Sequence, residues 1–394
     1  MNVAFLNENT LGHGSYLPRF VEAFRERPEL GIVPHRIDVV PFPEPVRRKA
    51  EFTVRGLRRI GLDFHLARWR RVASRHARAL VDDVRRRHPI DALVVNTQSV
   101  GLDLIGPDLA LPVFVGLDAT FRQLARSPWF AGNRVARALL PLTLAPILGR
   151  ERRLVRGAHR LLAWSAAARD SLVHEYGIDP SRVGVLPPSL DLRQLSPGPR
   201  PGPTPGDPEG GESRKAPGGR GERWQILFVG GHFERKGGPA LLEAFRREWV
   251  SEAELHLVTQ SEVKPEPGVQ VHRGLTASSE AWLERWRQAR VFVFPSTLET
   301  FGIVLLEALA FGVPVVSSRA GAAGEILEDG RCGRLLDVVT PGSVSAAIRA
   351  AISDPCETRL QRERGLARVR GHYDLARNAE ALAEWLRQGR MPSR

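Results

Sequence analysis

Short apolar runs alternate with amphipathic stretches along most of the chain. Val3–Leu6, Ile37–Val40, Ala92–Val95, Val113–Val115, Leu161–Trp164 and Val183–Leu186 are brief and rich in β-branched or aromatic residues. Strands buried on both faces read this way. A loop through Gly12 and Gly14 follows the first run, and helical spacing predicts a helix near Tyr16–Phe24. The alternation restarts at Ile226–Val229 and continues through Leu255–Val258, Val269–Val271, Val291–Phe294 and Val315–Ser317. Helices are expected near Pro239–Trp249, from a Ser278 cap to Ala289, over Ile303–Phe311 with Gly312 as its stop, and over Glu380–Gln388. The pattern predicts an α/β class with two doubly wound parallel sheets and a cleft between them. Ligands of such sheets bind beyond the carboxyl ends of the strands.

One segment interrupts the alternation. Of the 27 residues Ser196–Glu222, 15 are Gly or Pro and none has a large aliphatic or aromatic side chain. Such a segment cannot offset its ordering entropy by burial, so it is expected to be a disordered linker or surface insertion. The expected organisation is therefore a first domain over 1–195, joined by a terminal helix over 376–394. A linker over 196–224 and a second domain over 225–375 complete it.

Composition narrows the class. The 394 residues are 42% hydrophobic, enough for two cores. Two cysteines, Cys332 and Cys356, cannot build a disulfide framework, which fits a reducing compartment. The first strand run begins beside Met1 with no charged leader before it, so no signal peptide is expected. The greasy stretch Ala138–Gly149 is too short to span a bilayer and holds two prolines. A cytoplasmic chain is expected.

The net charge of +13 is carried almost wholly by arginine, with Lys49, Lys215, Lys236 and Lys264 the four lysines. Residues 47–87 contain fourteen Arg or Lys against four Asp or Glu, a local charge of +10. Phe52, Leu57, Ile60, Phe64 and Trp69 are interspersed with these cations. Two readings stand side by side: a surface that sits on anionic lipid, peripheral to the membrane, or a solvated Arg-rich helix pair. The stretch contains no recognised nucleic-acid-binding module, which disfavours nucleic acid.

The candidate chemistry lies in the second half. In Pro295-Ser296-Thr297-Leu298-Glu299-Thr300-Phe301-Gly302-Ile303-Val304-Leu305-Leu306-Glu307-Ala308, a strand ends, a loop turns at Gly302 and a helix begins. Its first amides would form an anion site suited to a diphosphate. Glu307 lies within an apolar helix, where an ionised carboxylate needs a partner, and a ribose diol would supply two hydroxyls. Glu299 in the loop could accept hydroxyls of a sugar. A second glycine loop, Gly230-Gly231-His232-Phe233-Glu234-Arg235-Lys236-Gly237-Gly238, carries two cations able to neutralise a departing diphosphate. It lacks the order of a Walker loop.

The paired Glu299 and Glu307 resemble the Glu–seven residues–Glu signature of the family-four glycosyltransferases (glycosyl transferases group 1). Ala310-Phe311-Gly312-Val313-Pro314-Val315-Val316, Gly324-Glu325-Ile326-Leu327 and Leu186-Pro187-Pro188-Ser189-Leu190-Asp191 resemble further turns of that family. Ser165 resembles its strand-ending Ser. The resemblance implies the GT-B fold, two Rossmann-like domains facing across a cleft. It implies a retaining, metal-independent transfer of a hexose from a UDP- or GDP-sugar to a glycan or lipid-linked acceptor. No cofactor is expected beyond the nucleotide sugar, and no metal, since no Asp-x-Asp pair follows a strand.

The resemblance assigns Lys236 and Arg235 to the diphosphate with the Gly230–Gly231 backbone, and Glu299, Phe301 and Gly302 to the sugar. Glu307 is assigned to the ribose, Ile303 to the phosphate end of the helix, and Arg273-Gly274-Leu275 to the base edge. Gly231 stands where the family commonly has Arg, and Arg235 is the candidate replacement. Gly12, His13, Gly14 and Asp118 are the acceptor-side candidates, with Leu117 where many relatives have His. Other readings are a non-catalytic nucleotide-sugar-binding protein and, less favoured by the paired Glu, a sugar-nucleotide epimerase.

Overall fold

The computed structural model describes residues 1–10, 13–54, 56–57, 62–106, 108–126, 134–195, 223–275, 277 and 279–388, with the backbone alone at 13 and 15. The expected linker from Ser196 to Glu222, together with Gly12 and Ser278, lies outside the described residues, as does the His13 side chain. The chain divides into two compact units: Met1–Ser189 with Leu375–Arg394, and Leu190–Asp374.

The first unit is a parallel sheet ordered β2-β1-β3-β4-β5-β6. Its strands are β1 (Asn2–Asn7), β2 (Val33–Asp38), β3 (Ala92–Asn96), β4 (Val113–Leu117), β5 (Arg160–Ala163) and β6 (Val183–Val185). Strand β2 starts four residues before the expected Ile37–Val40 run and ends two residues before it. It is the sheet edge, pairing Val33 with Asn2, so it tolerates Pro34, His35 and Arg36 and lacks the apolar signal of a central strand.

Helix α1 (His13–Glu26) follows β1. Further on come α2 (Glu44–Glu51), α3 (His65–Arg87), α4 (Gln98–Gly101), α5 (Phe121–Ala125), α6 (Arg134–Gly157) and α7 (Ala166–Asp170). In α3, Ala73, Ala77 and Val81 are fully buried at helical spacing, and Arg side chains cover the other faces. The terminal helix Leu375–Gln388 belongs to this unit. Asn378 donates to Ser189 Oγ at 2.6 Å, Arg27 donates to the Ala376 carbonyl at 3.0 Å, and Trp385 stacks edge-on to Phe114.

The second unit is a parallel sheet ordered β12-β11-β10-β7-β8-β9. Its strands are β7 (Trp224–Val229), β8 (Ala253–Val258), β9 (Val269–His272), β10 (Ala289–Phe294), β11 (Val315–Ser318) and β12 (Arg334–Leu336). The chain winds from β7 outward to β9, then returns to the other side of β7 as β10. Adjacent strands β7 and β10 therefore send their following loops in opposite directions, which opens a crevice at their carboxyl ends.

Helix α8 (Gly238–Ala244) runs on as one π turn to Trp249. The next helices are α9 (Glu280–Gln288), α10 (Ile303–Ala310), α11 (Ala323–Ile326), α12 (Pro341–Ser353) and α13 (Pro355–His372). Ser279, one residue after the expected Ser278, caps α9 by accepting from Trp282 N at 3.3 Å. The short strand β12 and helices α12 and α13 add elements that the apolar runs did not announce.

Candidate functional site

The loop after β7 and the loop after β10 meet at the crevice. Gly237 has φ +77°, and a Cβ there would lie 1.9 Å from the Pro295 carbonyl oxygen. Only glycine lets these two backbones approach so closely. Thr297 N and Thr297 Oγ1 both donate to the Arg235 carbonyl, at 3.1 and 2.9 Å. The seam holds Lys236 against Glu299. The Lys236 ammonium and a Glu299 oxygen form a hydrogen-bonded ion pair, with side chains 12% and 13% exposed. The second Glu299 oxygen accepts from Thr300 N at 3.2 Å. The ammonium also sits 5.3 Å from the Phe294 ring centroid.

Burial pulls the Lys236 pKa below its ordinary value, and the Glu299 charge only partly offsets that cost. The neighbouring Arg235 charge works in the same direction as burial. Arg235 Nη1 donates to the Leu298 carbonyl at 3.4 Å, so this cation spans the two loops. The site thus holds two cations, Lys236 and Arg235, against the loop after β10.

From Glu299 the chain turns at Gly302, whose φ of +99° favours glycine, into helix α10. The leading amides of a helix have no acceptor four residues back, so those at Ile303 and Val304 form an anion-attracting end after the Glu299 loop. Phe301 is buried and stacks edge-on to Tyr373. Glu307, one turn into α10, is 8% exposed. The loop after β11 supports Glu299 from below: Gly321 has φ +64°, and a Cβ there would meet the Glu299 carbonyl oxygen at 2.7 Å. Ser318 Oγ donates to the Ser296 carbonyl at 2.5 Å.

Gly230, Gly231, Arg235 and Lys236 thus follow β7, and Glu299, Phe301 and Gly302 follow β10, with Ile303 and Glu307 in helix α10 after them. Arg273 and Gly274 follow the edge strand β9, two strands from β7. Arg273 is half-exposed and faces Glu262 at 3.7 Å. Behind that loop His256 Nδ1 lies 3.0 Å from His272 Nε2 and 3.0 Å from Arg285 Nη1. Burial and the Arg285 charge push His256 down to about 4, so its ring is neutral near pH 7. Among the described residues no group of three or more His, Cys, Asp or Glu gathers as a metal site.

In the first unit Asp118 follows β4 and accepts from Ala119 N at 2.9 Å. Gly14 lies in the first turn of α1. The surrounding loops carry polar residues that sequence reading passed over. Glu8 accepts from Thr97 Oγ1 at 2.6 Å and from Thr10 Oγ1 at 2.9 Å, at the carboxyl ends of β1 and β3. Glu151 is fully buried and accepts from Phe121 N at 2.9 Å, from Gln98 Nε2 at 3.4 Å and from the Tyr176 hydroxyl. Desolvation pushes its pKa up to about 7. Gln98 also donates to the Ala119 carbonyl at 2.7 Å. These bonds fix the loop Asp118–Thr120. In the sequence Glu151 sits in an Arg-rich run and reads as a solvated helix position.

Comparison with known proteins bears on the second unit first. Residues 211–365 match the model of the family described as Glycosyl transferases group 1. This part of the chain is similar to the group 1 glycosyl transferases. The span includes the whole Lys236–Glu299–Glu307 site.

A D-inositol 3-phosphate glycosyltransferase of Paenarthrobacter aurescens is 32% identical over 221 residues, covering 52% of this chain and 51% of that protein. One of Geodermatophilus obscurus is 32% identical over 233 residues, covering 54% and 49%. The chain spans about half the length of the curated relatives it matches. Among solved structures, sucrose-phosphate synthase of Thermosynechococcus elongatus has a TM-score of 0.67 at 15% identity, covering 98% of each chain. WaaG, a glycosyltransferase involved in lipopolysaccharide biosynthesis, has 0.65 at 18% identity, covering 98% of this chain and 100% of its own. Anabaena HepE in complex with UDP-glucose has 0.62 at 17% identity, covering 98% and 99%. The fold is GT-B.

Proposed function

We propose that the chain is a glycosyltransferase that moves a hexose from a nucleotide-diphosphate sugar to a glycan or lipid-linked acceptor, with retention and without a metal. One observation carries the reading: the Lys236–Glu299 ion pair at the β7/β10 crevice, against the start of α10. A diphosphate seated there meets the Lys236 ammonium, Arg235 and the leading amides of the helix. Its charge grows as the sugar leaves, so these fixed groups stabilise the transition state more than the ground state. The phosphate competes with Glu299 for Lys236, which frees a carboxylate oxygen to accept sugar hydroxyls. Glu307, buried one turn deeper, accepts the ribose hydroxyls. The Arg273–Gly274 loop meets the base.

HepE in complex with UDP-glucose makes UDP-glucose the first donor to try. The name of the curated relatives makes an inositol phosphate the first acceptor. On the first unit, the basic stretch 47–87 supports a narrower membrane surface than its charge of +10 suggests. Arg78, Arg85, Arg86 and Arg87 pair with Asp82 or Asp83. Arg71 and Arg75 remain exposed, and Phe52, Val54, Leu57 and Phe64 are exposed beside them in the chain.

The test is calorimetric titration with UDP, GDP and UDP-glucose in chelator, followed by product analysis with candidate acceptors. Micromolar UDP binding and an axial product from UDP-glucose are expected. Binding that needs a divalent cation, or an inverted product, would contradict the reading.

A further inference from the structure

The loop after β8 carries two hydroxyls, Thr259 and Ser261, that converge on one atom of the neighbouring glycine loop. The Gly231 carbonyl oxygen accepts from Gln260 N at 3.3 Å, from Thr259 Oγ1 at 3.4 Å and from Ser261 Oγ at 3.4 Å. Each hydroxyl is itself fixed by an amide. Ser261 N donates to Thr259 Oγ1 at 3.2 Å, and Phe233 N donates to Ser261 Oγ at 3.0 Å. Thr259 is 2% exposed, and its own N donates to the His272 carbonyl at 3.2 Å. A Cβ at Gly231 would meet nothing within 4 Å, so packing does not fix this residue, and its carbonyl does.

We propose that Thr259 and Ser261 are positioning residues for the diphosphate, acting through the Gly231–His232 peptide. That peptide is trans, so its N–H points opposite to its C=O. Strands β8 and β10 lie on opposite sides of β7. With the carbonyl held toward the loop after β8, the His232 amide is turned to the side of β10, whose following loop brings Glu299 to Lys236. The amide donates to nothing among the described residues, while the His232 carbonyl accepts from Lys236 N at 3.0 Å. A donor held on both flanks needs no reorganisation as charge develops before it. Gly231 brings no cation, so its peptide dipole is what this position offers a phosphate. The inference rests on the donor reading above, in which Glu307 takes the ribose. The phosphate farther from the nucleoside is then the one that the loop after β7 meets.

The test is calorimetric titration of the full chain with UDP and UMP, with GDP and GMP in parallel. The variants are Thr259→Val/Ser261→Ala and the hydroxyl-keeping Thr259→Ser/Ser261→Thr. Without the hydroxyls the peptide is free to turn, and a hydrogen bond to a charged phosphate is lost. The diphosphate should then bind roughly tenfold more weakly. The monophosphate, which lacks the far phosphate, should bind as it does to wild type. Thr259→Ser/Ser261→Thr should restore diphosphate binding. Ser261→Ala alone, at a partly exposed position, should show the same selective loss at smaller size, which keeps the test open if the double variant unfolds. An equal loss for both nucleotides would mean that the pair only holds the fold. Unchanged diphosphate affinity would mean that the peptide does not meet the phosphate. Either result overturns the inference and leaves the donor reading intact, whereas wild type that binds none of these nucleotides overturns both.

Discussion

Two glycines of the loop after β7 should respond oppositely to the same substitution. A Cβ at Gly231 would meet nothing within 4 Å, whereas one at Gly237 would lie 1.9 Å from the Pro295 carbonyl oxygen at φ +77°. Holding alanine in the left-handed region costs about 1–2 kcal/mol. Relieving the overlap forces the two loops apart, an overpacking cost of about 1–3 kcal/mol. Gly237→Ala should therefore cost about 3 kcal/mol, or roughly 6–12 °C in Tm for a unit of this size. Gly231→Ala should stay within about 0.5 kcal/mol of wild type. Because the retreat carries Lys236 away from Glu299, UDP affinity should also fall in the first variant and not in the second. Calorimetric melting and UDP titration of both variants check this. Equal melting temperatures, or a Gly231→Ala as damaging as Gly237→Ala, would refute the claim that the β7/β10 backbone seam sets the geometry of the site.

Further outcomes follow from the same structure. Glu307→Ala should abolish nucleoside diphosphate binding with an unchanged circular dichroism spectrum; retained affinity would remove the ribose role. Glu151 has a folded pKa near 7 against an unfolded 4.5, so its contribution to stability is full below pH 4.5 and is lost as pH rises to 7. Wild type should be about 3 kcal/mol more stable at pH 4.5 than at pH 8 from this group, and Glu151→Gln should lack that slope in denaturant titrations. Arg71→Glu/Arg75→Glu should weaken binding to anionic vesicles at low salt, and binding that never depended on salt would deny the electrostatic surface over 47–75.

Central strands were legible because they are apolar on both faces, and β1, β3, β4, β7, β8 and β10 fall at or within two residues of their runs. The edge strand β2 was displaced because an edge needs no such run, and its Val33 is itself 53% exposed. The short strand β12 was missed for the same reason, with only its last residue, Leu336, buried. The donor-side candidates were legible because a buried Glu in an apolar helix and a Lys in a glycine loop each break the local pattern. Glu151 and Glu8 were not legible, since each sits among polar neighbours and only the fold shows what it meets.

The central claim is that a diphosphate rests between Lys236 and the start of α10. A crystal soaked with UDP tests it most directly. The account predicts the pyrophosphate within hydrogen-bond reach of Lys236 Nζ and the Ile303 or Val304 amide, with both ribose hydroxyls on Glu307. A nucleotide bound elsewhere, or with its ribose away from Glu307, would contradict it.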